Sequence, residues 1–170
     1  DDGPTQVGVE STVVDMAADV PTILRPGAVT QQQLEDVLGI HVLDATSTMS
    51  VADDVTPKAP GMKYRHYAPD KQVVMFDRLD ALALKVSLAP TDVVMAQEET
   101  LQRMALPLAQ TWSLGTTLEN ATEQIFAGLR YYDDVAHVKT IYVEKMPPIG
   151  LGKAFNNRLG KASGNQEYQG

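Results

Sequence analysis

The sequence predicts an α/β fold: a mostly parallel sheet with helices on both faces. Three observations predict it. Short runs rich in β-branched and apolar residues recur, "QVVMF" at 72–76, "DVVMA" at 92–96 and "KTIYVEKM" at 139–146. Between them lie stretches with apolar residues at helical spacing. Strands that alternate with helices need crossover connections, and these place a helix over one sheet face or the other. The size fits. A chain of 170 residues with 44% apolar and 21% charged composition is one ordinary domain, or one domain and a piece of another.

Taken in order, residues 7–15, "VGVESTVVD", are β-rich through Val7, Val9, Val13 and Val14. In "TILRPGAVT" at 22–30, Pro26-Gly27 marks a turn, and Arg25 before the proline is biased to extended backbone. "TQQQLEDVLG" at 30–39 predicts a helix. Thr30 stands as N-cap with Gln33 in the capping-box position; Leu34, Val37 and Leu38 lie on one side, and Gly39 is the stop. A short strand is expected near 40–43. Residues 44–58 are small, polar and aperiodic and read as a linker. After the strand at 72–76, Leu79, Leu82, Ala83 and Val86 recur at helical spacing over 78–88. The strand at 92–96 is followed by a short helix, "EETLQRMA". A weaker strand lies in 108–115. Thr116 and Glu119 form a capping box for a helix through Arg130, with Leu118, Ala121, Ile125 and Leu129 facing inward. The strand at 139–146 and a last helix over 152–163 complete the pattern. Residues 1–43 hold about two strands and one helix, too little to bury a core alone. Something is therefore expected to cover them: the C-terminal domain, another copy, or a further N-terminal piece.

Composition narrows the chemistry. Cysteine is absent, which excludes disulfides, thiolate metal sites and a Cys nucleophile, and fits a reducing cytoplasm. No run of about 18 apolar residues is present, so no transmembrane helix or membrane role is expected. With 14 basic and 22 acidic residues the net charge is −8, and a uniformly acidic surface repels nucleic acid, so no direct stable nucleic-acid binding is expected. His41, His66 and His137 are far apart and form no ligand-spaced pair, so no metal site of the chain's own is expected. "GLG" at 150–152 lacks the rest of either Gly-rich phosphate fingerprint and reads as a strand-to-helix turn.

Three features carry candidate chemistry. Arg25 sits on stiff backbone beside a tight turn, which suits a phosphate or carboxylate clamp and equally an ordinary surface ion pair. Ser11 and Thr12 offer hydroxyls at a strand edge, for a ligand or simply as tolerated strand residues. The third is "APGMKYRHYAP" at 59–69, where Lys63, Tyr64, Arg65, His66 and Tyr67 run consecutively, prolines stand at 57, 60 and 69, and no Asp or Glu occurs between Val55 and Pro69. Prolines favour an extended arm, cationic heads suit phosphate, and aromatic faces suit stacking. Such an arm serves as a lid over a pocket or as a solvated basic linker.

"GVESTVVD", "ILRPGAVT", "PGMKYRHYAP" and "GLGKAFNNRLGKA" occur in this order, and together they resemble the two-domain threonylcarbamoyl-AMP synthase family. The resemblance implies a Rossmann-like accessory domain over 71–170, an interdomain linker over 44–70, and over 1–43 the end of a YrdC-like α/β catalytic domain. It implies a nucleotidyltransferase that uses ATP with Mg²⁺, L-threonine and bicarbonate. Threonine's amine takes up CO₂ as a carbamate, whose oxygen attacks the α-phosphate; pyrophosphate leaves and threonylcarbamoyl-AMP remains. A partner transferase then modifies a tRNA adenosine. It implies that Ser11 contacts threonine, that Arg25 contacts nucleotide phosphates, and that Lys63, Tyr64, Arg65, His66 and Tyr67 fold over the nucleotide.

One departure is large. The family's Lys-x-Arg and Ser-x-Asn pairs belong upstream of "GVEST", and neither stands there in this sequence. The chain is expected to be the C-terminal part of such an enzyme, inactive alone and with no catalytic residue of its own. The other reading is a stand-alone binding or regulatory module.

Overall fold

The structure, a computed structural model, describes residues 11–18, 20–45 and 69–170. Its C-terminal sheet holds β4 (Gln72–Phe76), β5 (Asp92–Ala96), β6 (Thr111–Ser113) and β7 (Thr140–Glu144) in the order β4-β7-β5-β6. All its pairings are parallel, with Val73 opposite Ile141 and Val94 opposite both Tyr142 and Thr111. Because strand residues alternate between faces, each strand feeds two cores. Val73, Met75, Val93, Met95, Ile141 and Val143 meet α4 (Leu118–Asp133) and α5 (Leu151–Ser163) on one face. Phe76, Val94, Ala96 and Tyr142 meet α2 (Ala81–Ser87) and α3 (Glu98–Met104) on the other. Both faces are covered, as parallel sheets require. The β4 edge is closed by the C-terminal tail, where Met75 N–H donates to Gln166 C=O and Tyr168 N–H to Met75 C=O. This covers backbone groups that would otherwise template pairing with another chain.

A smaller unit precedes it. β1 (Val13–Asp15) pairs antiparallel with β2 (Thr22–Arg25), and β2 pairs in parallel with β3 (Leu43–Asp44). Between β2 and β3 runs α1 (Gln31–Leu38), whose capping box is formed as the sequence predicts: Thr30 accepts from Gln33 N–H and Gln33 accepts from Thr30 N–H. Gly39 closes the helix in the left-handed conformation at φ 67°, which a side chain would resist.

Several local expectations shift. The strand foreseen near 40–43 lies at 43–44, and only 111–113 of the 108–115 run is strand, because residues 108–110 wind into a 3₁₀ turn. The N-cap of α4 is Thr117, not Thr116; its side chain accepts from Asn120 N–H, so Glu119 falls in the first turn instead of the reciprocal capping position. The helical spacing over 78–88 is present, but its four residues do not form the buried face. Leu79, in the 3₁₀ turn at 78–80, and Leu82, Ala83 and Val86 on α2 face solvent, while Ala81 and Leu84 are buried against Leu101 and Met104. The segment is apolar on both sides, so periodicity alone does not choose the side that meets α3. In α4, Ala121, Ile125 and Leu129 are buried and Leu118 packs against them, as expected.

Candidate functional site

Two of the sequence-predicted site residues meet. β1 and β2 pair with Val13 opposite Arg25. This brings Arg25 back to the residues just ahead of β1. Its Nε donates to Ser11 C=O at 3.1 Å and its Nη2 to Ser11 Oγ at 3.2 Å. A planar guanidinium anchored at two points is held in orientation as well as position. Ser11 Oγ accepts from Arg25, which directs the hydroxyl's own proton elsewhere, toward an acceptor. Thr12 has a different job. Its Oγ1 donates to Val29 C=O at 2.6 Å and accepts from Val29 N–H at 3.1 Å, stitching the far side of the Pro26-Gly27 turn to the start of β1. The "ST" pair therefore splits its hydroxyls between the arginine and the turn that carries it.

The corner between α1 and β3 is set by Glu35. Its carboxylate accepts from Val42 N–H at 2.9 Å and lies 2.7 Å from His41 Nδ1. The Val42 hydrogen bond and the neighbouring His41 hold this carboxyl below the usual carboxylate range. Gln31 Nε2 donates to Val42 C=O at 2.6 Å, so both backbone groups of buried Val42 are satisfied from α1.

This unit faces the C-terminal domain across a cleft of about 430 Å³, lined on one side by Ile23, Pro26, Gly27 and Thr30 and on the other by Pro148, Ile149 and Gly150. Asp44 and Lys153 also line it, and Lys153 Nζ lies 2.6 Å from Asp44 Oδ2. Sequence reasoning missed this bridge, since Asp44 was assigned to a linker and Lys153 to a helix. The signal lay inside the "GLGKAFNNRLGKA" motif. Each of its other distinctive residues has a local task. A Cβ on Gly152 would lie 2.0 Å from the Pro147 carbonyl oxygen, so the helix can start there only with glycine. Asn156 accepts from Met146 N–H and donates to Met146 C=O, which locks the preceding loop. Arg158 stacks 4.0 Å over the Phe126 ring. Lys153 reaches away from all of these, toward β3.

A second polar cluster lies at the carboxyl ends of the C-terminal strands. Glu144 is buried, accepting from Gln97 N–H at 2.7 Å and from the Thr100 hydroxyl at 2.8 Å. Burial pushes its pKa up, opposed by those two hydrogen bonds and by Arg78. Arg78 also pairs with Glu99, and Lys145 lies between Asp77 and Glu167. The cations here are matched by carboxylates of the same domain.

Lys63, Tyr64, Arg65, His66 and Tyr67 lie outside the described residues. Among the described residues no group of three His, Cys, Asp or Glu could hold a metal ion, and no helix is long and apolar enough to cross a membrane.

Residues 29–164 match the family described as threonylcarbamoyl-AMP synthase, C-terminal domain. The chain is 36% identical over 171 residues to the threonylcarbamoyl-AMP synthase of Pyrococcus abyssi, covering 96% of this chain and 48% of that protein. It is 35% identical to the Bacillus subtilis enzyme of the same name, covering 98% and 48%, and 30% identical to that of Schizosaccharomyces pombe, covering 96% and 44%. Two solved structures of P. abyssi Sua5 superpose with a TM-score of 0.76 at 31% identity. One is a variant with a neighbouring His and Tyr replaced by Ala, covering 97% of this chain and 48% of that one; the other is a complex with L-threonine, covering 99% and 50%. The chain spans about half the length of the curated relatives it matches. By these similarities the chain belongs to the threonylcarbamoyl-AMP synthase family, where it corresponds to the C-terminal portion.

Proposed function

We propose that this chain is the C-terminal portion of a cytoplasmic L-threonylcarbamoyladenylate synthase. The enzyme makes threonylcarbamoyl-AMP and pyrophosphate from L-threonine, bicarbonate and ATP, with Mg²⁺ arriving as part of the nucleotide substrate. The expected boundary at 43/44 moves by one residue, because Asp44 belongs to β3: residues up to Asp44 end the catalytic α/β domain, those from there to 70 link the domains, and 71–170 form the accessory domain. The product passes to a transferase that modifies tRNA. The observation that carries this reading is the Arg25–Ser11 pair, a cation and a hydroxyl held together at the end of two strands.

The chemistry suits the pair. Attack of the threonine carbamate on the α-phosphate builds negative charge on the phosphoryl oxygens and on the departing pyrophosphate. A cation fixed before the reaction stabilises that charge without reorganising. Arg25 is that cation, and Ser11 presents its hydroxyl proton to threonine. Lys63, Tyr64, Arg65, His66 and Tyr67 contribute further phosphate contacts and cover the nucleotide, excluding water from a hydrolysable adenylate. At the strand ends of the accessory domain both Glu144 carboxylate oxygens are taken up by Gln97 N–H and the Thr100 hydroxyl, so this carboxylate is given a structural part and no share of the chemistry.

The test compares this chain with an enzyme that joins it to the N-terminal half found in its relatives. Each is incubated with ATP, Mg²⁺, L-threonine and bicarbonate, and threonylcarbamoyl-AMP is measured by mass spectrometry. The joined enzyme is expected to form it and the chain alone to form none. Product from the chain alone, or none from the joined enzyme, contradicts the proposal.

A further inference from the structure

We propose that Lys153, in the accessory domain, is a positioning residue for Arg25, acting through Asp44 and the β3–β2 pairing. The proposal rests on the function given above. Lys153 occupies the third position of α5, in its first turn. A cation there opposes the helix dipole, whose amino end favours acids. The lysine therefore does not serve the helix. Its Nζ lies 2.6 Å from Asp44 Oδ2, and the side chains are 30% and 8% exposed. A pair this far from water interacts more strongly than an open surface pair.

Asp44 is well placed to pass that hold on. It pairs in register with Ile23 on β2, and Ile23 is 2% exposed. Ile23 and Arg25 are two residues apart on one strand, so they share a face and move together. β3 is only two residues long, and two pairings are a weak constraint unaided. Its start is secured by Glu35 and Gln31 on Val42. Its end is secured by Lys153. Both residues line the cleft between the two units, and the Asp44–Lys153 bridge spans it. Small displacements matter at a phosphate clamp, where a misplacement of about 1 Å costs on the order of a hundredfold.

The experiment uses the joined enzyme carrying Lys153→Met, Lys153→Arg or Asp44→Asn, with kcat and KM for ATP and for threonine read from pyrophosphate release, and a melting curve for each variant. The expected result is a rise in KM for ATP of about tenfold in Lys153→Met and in Asp44→Asn, with Lys153→Arg near wild type. A bridge that only adds stability lowers the melting temperature and leaves KM unmoved. Either of the first two variants, folded and with the wild-type KM for ATP, overturns the positioning role. If the unmodified joined enzyme releases no threonine-dependent pyrophosphate, the function itself fails, and this role with it.

Discussion

The two parts of this molecule bury their residues very differently. In the C-terminal sheet, β5 is buried along all five residues, and helices fill both faces. In the N-terminal unit α1 has no buried residue, Val37 is 86% exposed, and Ile23 and Val42 are the buried aliphatic residues among the described ones. One part has a complete core. The other has well-made local structure, with caps, side-chain bridges to backbone and a sheet of three strands, but little burial to stabilise it. The lesson is that the part carrying the Arg25–Ser11 pair is the part with little burial among its described residues, while the C-terminal sheet has helices packed on both faces.

Substitutions can break or sharpen that contrast. The largest effect is expected for Gly152→Ala. The new Cβ meets backbone rather than a movable side chain, so the loss should be about 3 kcal/mol or more by denaturant titration. It should also displace the 147–150 loop that faces the N-terminal unit. Leu84→Ala should cost about 2–4 kcal/mol, since the side chain is fully buried on the inner face of α2. Leu82→Ala on the opposite face and Val37→Ala on α1 should each stay within about 0.5 kcal/mol. Equal losses from Leu84→Ala and Val37→Ala would erase the contrast.

Acid should separate the two parts in opposite directions. The Glu35 carboxyl is held below its ordinary range, chiefly by Val42 N–H. Its contribution is complete above the unfolded pKa and is lost as pH falls through the folded value. Burial raises the Glu144 carboxyl. There the folded state keeps a proton that the unfolded chain has released, so that contribution to stability grows as pH falls through the folded value toward the unfolded one. Glu144→Gln should abolish this gain, and, because glutamine has one acceptor oxygen for the two donors that Glu144 satisfies, it should cost about 1–3 kcal/mol at neutral pH. The smallest effect is that of Glu35→Gln, seen as loss of the acid-dependent shift of the Val42 amide in NMR. Parallel pH responses of the two sites would contradict the assignments.

The fold was legible because the C-terminal strands and helices alternate so plainly. α1 was legible to the residue, since Thr30, Gln33 and Gly39 act locally. The face of α2 was not, because "ALALKVS" offers apolar residues on both sides and only the position of α3 decides between them. At the site, Arg25 and Ser11 were each visible as candidates, but their contact across 14 residues is made by strand pairing. The Asp44–Lys153 bridge was illegible for the same reason at longer range. A polar residue after a two-residue strand and a lysine in a helix look ordinary until the fold brings them together.

In the proposed enzyme Arg25 on β2 and Ser11 just ahead of β1 carry the chemistry, and the C-terminal sheet supports them. The most direct measurement is threonine- and bicarbonate-dependent pyrophosphate release by the joined enzyme carrying Arg25→Met, beside the same enzyme carrying Glu144→Gln. Losing a fixed cation at a phosphate should lower kcat/KM about 100-fold, while Glu144→Gln should stay within about twofold of wild type, on the order of 0.4 kcal/mol. An Arg25→Met enzyme as active as wild type, or a Glu144→Gln enzyme that is folded and inactive, would contradict the account.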